Sequence, residues 1–253
     1  MLVQTFLCLP FGGFSTLATQ DSRWYSVAVV SVFANSIANV LFVMGVQRAA
    51  FTLVVPLLSL TPAFAAGIGW LVFDEALNFR QISAVAVVVG AALWLGFRGA
   101  GHRTTAREKS GMLLMTITAF LWAVTPFLDR ACMTNSQVAL AAYVGSQCLG
   151  VAIVLMVAAV LVPSFRQQFS GLWSRVRVSW PWVLVAAISA SIGLYYQIVG
   201  IQTASHVGLF EAVKRSLTML LSLALGRFLL KERLTRDRIM AAITMGLGIF
   251  LLA

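Results

Sequence analysis

Residues 24–46, WYSVAVVSVFANSIANVLFVMGV, contain no charged side chain. This stretch is longer than the roughly 20 apolar residues that an α-helix needs to cross the core of a bilayer. A soluble domain carries about 25% charged residues, whereas this chain of 253 residues carries 10% charged and 60% hydrophobic residues. The surplus apolar side chains must face lipid, so the predicted fold class is an all-α, polytopic bundle of transmembrane helices.

Eight further apolar segments lie on either side of this stretch. The first lacks the basic start of a signal peptide, and Pro10 and Gly12 interrupt it, so we expect a spanning helix there. The nine predicted spans are residues 1–19, 24–46, 51–73, 82–97, 112–128, 138–162, 180–201, 207–230 and 239–253.

Two blocks of sequence recur in the same order. Residues 36–49 (SIANVLFVMGVQRA) match residues 191–204 (SIGLYYQIVGIQTA), and residues 69–77 (GWLVFDEAL) match residues 226–234 (GRFLLKERL). The matches predict a first repeat over residues 1–97 with four spans, an inter-repeat loop over residues 98–111 and a second repeat over residues 112–253 with five spans. Five spans per copy would give the copies opposite polarity, so we expect two inverted five-helix repeats, the first lacking its leading helix.

The ends of both repeats resemble those of the EamA-like branch of the drug/metabolite transporter superfamily. In each, a glycine, a few apolar residues and a glutamate are followed by a turn and a glycine-bearing helix. The matching residues are Pro56, Pro62, Gly69, Glu75, Gly226 and Glu232, and Ala119, Trp122 and Pro126 resemble the start of the second repeat. The resemblance implies ten helices around a central substrate cavity. The missing first helix is expected of a truncated sequence rather than of a nine-helix protein.

Basic residues are concentrated in the loops after the second, fourth, sixth and eighth spans. The opposite face carries only Arg23, Arg80 and Arg130 outside the membrane. The positive-inside rule therefore places the first face in the cytoplasm. The usual ten-helix arrangement of the family implies the reverse, and the size of the charge asymmetry favours the first orientation.

Three charged residues in the eighth span, Glu211, Lys214 and Arg215, form the sharpest candidate site. Charge within a membrane helix costs at least a few kcal/mol, and such residues usually face a bundle interior or a wet cavity. Their spacing puts both cations on the face of Glu211. They predict either an anion or coupling-ion site, or a salt bridge whose cations reach the interface.

The other candidates for the substrate path are amide and aromatic side chains, each of which could instead only join helices. They are Asn35, Asn39, Trp122, Gln147, Tyr195, Tyr196 and Gln197. Pro56, Pro62 and Pro126 are expected to bend their helices. Glu75 and Glu232 are expected to be structural, each placed near the start of the following helix, where an acidic group suits the helix dipole.

The function predicted is secondary transport, with export favoured, of small metabolites or drugs by alternating access in the plasma membrane, the bacterial inner membrane. No phosphate-binding loop, metal-ligand spacing or cofactor motif is present, and the basic loops predict orientation rather than nucleic-acid binding. Asp129 with Arg130 and Asp74 with Glu75 support a membrane-embedded transferase weakly. A non-transporting membrane subunit is the third alternative. The expected partners are lipid and a small molecule of anionic or zwitterionic character; a homodimer stays open.

Overall fold

The computed structural model describes residues 14–49, 54–98, 105–134, 138–161, 172–228, 240, 243–244 and 246–248. All regular structure in these ranges is helical, as predicted. The α-helices are α1 (Ser22–Arg48), α2 (Thr61–Phe73), α3 (Phe79–Arg98), α4 (Ala106–Thr134), α5 (Leu140–Leu161), α6 (Leu172–Thr203) and α7 (Val207–Phe228). Short 3-10 helices, Phe14–Leu17 and Val55–Leu60, precede α1 and α2.

Four helices in the described part of the chain are long and apolar enough to cross a membrane. They are α1, α4, α5 and the Arg177–Thr203 portion of α6. Shorter apolar stretches cover Leu57–Phe73 and Phe79–Ala91. The protein is therefore an integral membrane protein. The count of nine spans and their inverted arrangement stay predictions, and most of the ninth span lies outside the described residues.

The described end of the first predicted span is not α-helical. Residues Phe14–Leu17 form a 3-10 turn, and residues 1–13 lie outside the described ranges. The side chains of Thr19 and Gln20 both donate to the carbonyl of Thr16. Hydroxyl and amide side chains that bond local carbonyls in this way compete with helix formation. The Asp21 carboxylate then accepts a hydrogen bond from the Trp24 amide and begins α1.

The described part of the third predicted span, residues 51–73, changes from one helix type to another. Residues Val55–Leu60 form a 3-10 helix and only Thr61–Phe73 form α2. Proline has no amide hydrogen and is best accommodated in the first turn of a helix. Pro56 and Pro62 occupy such positions at the start of the two segments. These prolines therefore lie where the chain begins a 3-10 helix and then continues as an α-helix, and the bend expected at them stays a prediction.

The boundaries of the other helices differ from the apolar segments for local reasons. Helix α4 begins before residue 112 because the Thr105 hydroxyl and the Glu108 carboxylate each accept the other residue's amide. It continues through Pro126 to Thr134, beyond the predicted end at residue 128. Helix α6 has a break at Ser179, two residues before Pro181, close to the predicted start of its span.

The chain forms two compact units, named here unit 1 (Met1–Ser36 and Thr125–Thr203) and unit 2 (Ile37–Val124 and Ala204–Ala253). Each unit combines residues from both predicted repeats. The core of unit 1 is built around Tyr143, Cys148 and Ile198. The core of unit 2 includes Val54, Leu57, Leu58, Met115 and Ala119. The division of the sequence into repeats stays a prediction.

Candidate functional site

The centre of the candidate site is an ion pair on α7, within unit 2, whose carboxylate partner is buried. Glu211 has no solvent-exposed surface, and its Oε1 accepts a hydrogen bond from Nζ of Lys214, three residues along the helix. The second carboxylate oxygen, Oε2, is buried and has no hydrogen-bond partner among the described residues. Lys214 Nζ also lies 5.8 Å from the centre of the Phe210 ring. The pair therefore leaves one strong acceptor unused inside the protein.

Arg215 adds a second cation to this site. Its Nη2 lies 3.4 Å from the hydroxyl oxygen of Thr61, at the start of α2. The Thr61 hydroxyl donates to the carbonyl of Leu58 at 2.6 Å, so its oxygen is oriented to accept from the guanidinium. Nε of Arg215 is buried without a hydrogen-bond partner in the part of the chain that the structure describes. An unused donor thus lies one helical turn from the unused acceptor of Glu211.

Helices α2 and α7 run antiparallel and bring these residues together. Thr61 contacts Arg215, whereas later in α2 Ala66 approaches Gly208 near the start of α7. A Cβ atom added to Gly208 would lie 2.8 Å from the backbone N and Cα of Ala66. Only a residue without a side chain permits this separation of the helices, and that separation positions Arg215 beside Thr61.

The motif glutamate Glu75 holds the start of α7. Its Oε2 accepts a hydrogen bond of 3.1 Å from the backbone amide of the buried Val207. Asp74 adopts the left-handed conformation (φ 53°) that ends α2, and the Glu75 side chain returns over Gly69. A Cβ on Gly69 would lie 2.9 Å from that same Oε2. The glycine at this spacing before the glutamate has no side chain, and this leaves room for the Glu75 carboxylate.

Glu75 makes a contact with α7 that the sequence did not predict, while its expected placement near the start of α3 stays a prediction. The following helix, α3, begins with a reciprocal pair in which the side chains of Asn78 and Gln81 accept each other's amides. Glu75 accepts a hydrogen bond from the first turn of α7, which lies 132 residues away along the sequence. A short-range pattern could not reveal this partner, because the contact depends on the packing of α2 against α7. The corresponding Glu232 lies outside the described residues, and Gly226 lies in α7.

Apolar and aromatic side chains complete the surroundings in unit 2. Leu209 and Ala212 of α7 pack against Val85 and Val89 of α3. Trp122 is half-buried, packs on the core of unit 2, and its ring centre lies 5.7 Å from that of Phe42. Trp122 therefore has a packing role in this structure, and Asn39 is half-buried in the same unit.

The remaining predicted path residues belong to unit 1. Gln147 is buried and donates from Nε2 to the carbonyl of Ala28 at 3.4 Å. Tyr195 and Tyr196 contact each other edge to face and are exposed, while Asn35 and Gln197 are half-buried. The structure brings Glu211, Lys214 and Arg215 together, and it does not bring the two tyrosines into a buried site.

Two groups were not identified from the sequence. Thr61 contacts Arg215 across 154 residues of sequence, and no local signal marks it. In unit 1, the carboxylate of Asp129 is buried and bonded by the hydroxyls of Ser31 and Tyr143. A carboxylate directly after an apolar segment, with hydroxyl residues in two other spans, was the available signal for this cluster.

The comparisons with known proteins concern the N-terminal part of the chain and the fold. The family model described as "EamA-like transporter family" matches residues 1–97. Residues 1–97 are therefore similar to the EamA-like transporter family. The predicted resemblance is thereby confirmed, and the members of this family are membrane transporters rather than enzymes.

A solved structure described as "Crystal structure of protein" shares the fold of this chain. The two are 16% identical with a TM-score of 0.69, and the match covers 100% of this chain and 86% of the other. At that identity the likeness concerns the fold alone. No curated protein matches the chain.

Proposed function

We propose that the protein is a secondary transporter of small anionic or zwitterionic metabolites, working by alternating access in the plasma membrane, with export as its direction. The observation that carries this proposal is the unused pair of polar atoms in unit 2, Oε2 of Glu211 and Nε of Arg215. Leaving a charged group buried and incompletely bonded costs several kcal/mol. A substrate that bonds these atoms would recover part of that cost.

The chemistry of the site defines the class of substrate. A carboxylate or phosphate accepts hydrogen bonds from guanidinium and ammonium groups, and the planar guanidinium suits such oxygens particularly well. Oε2 of Glu211 would accept from an ammonium or hydroxyl group of the same molecule. One acceptor and one donor a helical turn apart favour a small molecule that carries both charges, such as an amino acid.

The antiparallel packing of α2 and α7 supports the inverted-repeat part of the proposal. The sequence repeat makes the third and eighth predicted spans equivalent, and these spans contain α2 and α7. Equivalent helices that run in opposite directions are expected of two copies with opposite polarity. In many transporters such copies hold the substrate near the middle of the membrane and expose it alternately to each side.

The test is exchange of radiolabelled substrate in proteoliposomes that contain the purified protein. A panel of amino acids, carboxylates, phosphate esters and organic cations is loaded on one side, with the labelled compound on the other. We expect exchange of zwitterionic or anionic compounds and none of the cations. A panel in which only cations exchange would contradict the proposed substrate class.

Substitution at Arg215 tests the site itself. Loss of one charge-assisted hydrogen bond costs about 1.5–3 kcal/mol, so Arg215→Gln should lower exchange by about 10- to 150-fold. Arg80→Gln removes an exposed arginine in the same unit and should leave exchange within about twofold. Unchanged exchange in both Arg215→Gln and Glu211→Gln would show that substrate does not contact this site.

A further inference from the structure

A second buried polar cluster lies in unit 1 and has no part in the proposed substrate site. Oδ1 of Asp129, in α4, accepts hydrogen bonds of 2.7 Å from Oγ of Ser31 in α1 and from the phenol of Tyr143 in α5. Asp129 is 5% exposed, and Ser31 and Tyr143 are fully buried. Three helices thus converge on one carboxyl group.

The surroundings of this carboxyl are mainly apolar. Tyr143 belongs to the core of unit 1, together with Ala142 and Ile198. Among the described residues, the titratable side chains near Asp129 include the Tyr143 phenol from α5 and the Cys132 thiol from its own helix. Arg130, the next residue of α4, is half-buried, whereas the charged residues Asp21 and Arg23 at the start of α1 are exposed.

The hydroxyl partners suit both protonation states of the carboxyl. Serine and tyrosine hydroxyls can donate or accept a hydrogen bond, whereas arginine and lysine can only donate. When Asp129 is ionised, both hydroxyls donate to it. When it is protonated, its own O–H can be accepted by one hydroxyl while the other still donates. Neither state leaves the hydroxyls unbonded, so the cluster is suited to gain and lose a proton.

A second unused acceptor lies next to this cluster along the same helix faces. Gln147 follows Tyr143 by four residues in α5, and Ala28, whose carbonyl it bonds, precedes Ser31 by three residues in α1. Residues three or four apart lie on the same face of a helix. Oε1 of Gln147 is buried without a hydrogen-bond partner in the described ranges. The apolar core of unit 1 thus contains a short row of polar groups.

We propose that Asp129, held by Ser31 and Tyr143, is a proton-binding site that couples substrate movement to the proton gradient. In the coupling step a hydronium ion on one side transfers a proton to the carboxylate: one O–H bond of the hydronium breaks, one O–H bond forms on Asp129, and water and the neutral acid remain. After the conformational change the acid O–H bond breaks and the proton is taken up by a water molecule on the other side, so that no electron is transferred. Charged side chains within membrane proteins often serve as proton relays. This inference rests on the transport function proposed above.

Transport in the same proteoliposomes tests the coupling. Asp129→Asn mimics the neutral acid, so we expect exchange at equal pH to stay within about threefold of the parent. Accumulation driven by a pH difference should fall at least tenfold. Asp129→Glu retains a titratable carboxyl and should restore part of that accumulation. Asp21→Asn, which removes an exposed carboxyl of the same unit but keeps a helix-capping amide, should behave as the parent.

Infrared difference spectroscopy of the purified protein tests protonation without any transport. Lowering the pH should produce the carbonyl band of a buried carboxylic acid in the parent and in Asp21→Asn, and Asp129→Asn should lack this band. The proposal would be overturned if Asp129→Asn accumulated substrate with a pH difference as the parent does. It would also be overturned if Asp129→Asn showed the same carboxylic acid band as the parent. Absence of exchange by the parent would instead refute the transport function, while the infrared result would still decide whether Asp129 titrates.

Discussion

The carboxylate of Glu211 has one oxygen that accepts a hydrogen bond within the protein and one that does not, among the described residues. Its Oε1 is bonded to Lys214, which is 30% exposed, whereas Oε2 is buried without a partner among the described residues. The bonded oxygen compensates part of the cost of burying the charge. The other oxygen has no such compensation within the described ranges, and the proposed substrate site depends on this oxygen.

A double-mutant cycle at Glu211 and Lys214 distinguishes these two roles. Lys214→Met alone leaves a buried carboxylate without its donor and should lower the free energy of unfolding by about 1–3 kcal/mol. Adding Glu211→Gln should restore much of that stability, because the unpaired charge is gone. Chemical denaturation in detergent measures stability, and exchange in proteoliposomes measures function. Recovery of both in the double variant would mean that the pair is only structural.

At the residue scale, contacts between residues close in the sequence were predictable, and contacts between distant residues were not. The local relation of Glu211, Lys214 and Arg215 was predictable because helical spacing alone places them on one face. Thr61 and the Val207 amide were not, since each meets its partner only when α2 packs against α7. Asp129 was recognised as a charged residue, but its two hydroxyl donors come from separate helices.

At the scale of single elements, the contact between α2 and α7 depends on one glycine. In Gly208→Ala the new Cβ would lie 2.8 Å from backbone atoms of Ala66, so one of the helices must shift. We expect a lower thermal midpoint and a loss of exchange, because the shift also moves Arg215 away from Thr61.

Gly67→Ala is the matched control for that variant. It lies in α2, and a Cβ at Gly67 meets no atom within 4 Å. Alanine is favoured over glycine within a helix by about 1 kcal/mol, so this variant should be as stable as the parent or slightly more stable. Equal thermal midpoints for Gly208→Ala and Gly67→Ala, measured in the same detergent, would contradict the close approach of the two helices.

The lengths of the apolar segments predicted where the long helices lie, but they did not predict every helix end. Helices α1, α5 and α7 differ from the predicted spans by only a few residues at each end. In contrast, Val55–Leu60 forms a 3-10 helix ahead of α2, and α4 extends past its apolar segment. Prolines and side-chain caps decide where a helix begins and ends, and an average of hydrophobicity does not include them.

At the scale of the whole molecule, the distribution of basic residues predicts which loops lie in the cytoplasm, and this orientation can be tested. Lys109 and Ala76 are both exposed and lie at the loops predicted to be cytoplasmic and external, respectively. In a Cys8→Ser background, Lys109→Cys should react with an impermeant maleimide only in inside-out vesicles, and Ala76→Cys only in right-side-out cells. The native Cys132 and Cys148 are buried and should contribute little background. The opposite labelling pattern would establish the orientation that is usual in the family.

The two partners of the hydrogen bond between Val207 and Glu75 are synthesised at different times. The two residues are 132 positions apart, and chains are synthesised at about 5–20 residues per second. Roughly 7–26 s therefore separate the moment when the carboxylate is made from the moment when its donor is made. During that interval the early half of unit 2 stands in the membrane without α7. The contact between Glu75 and the start of α7 can therefore form only late in synthesis, after α2 has already been made.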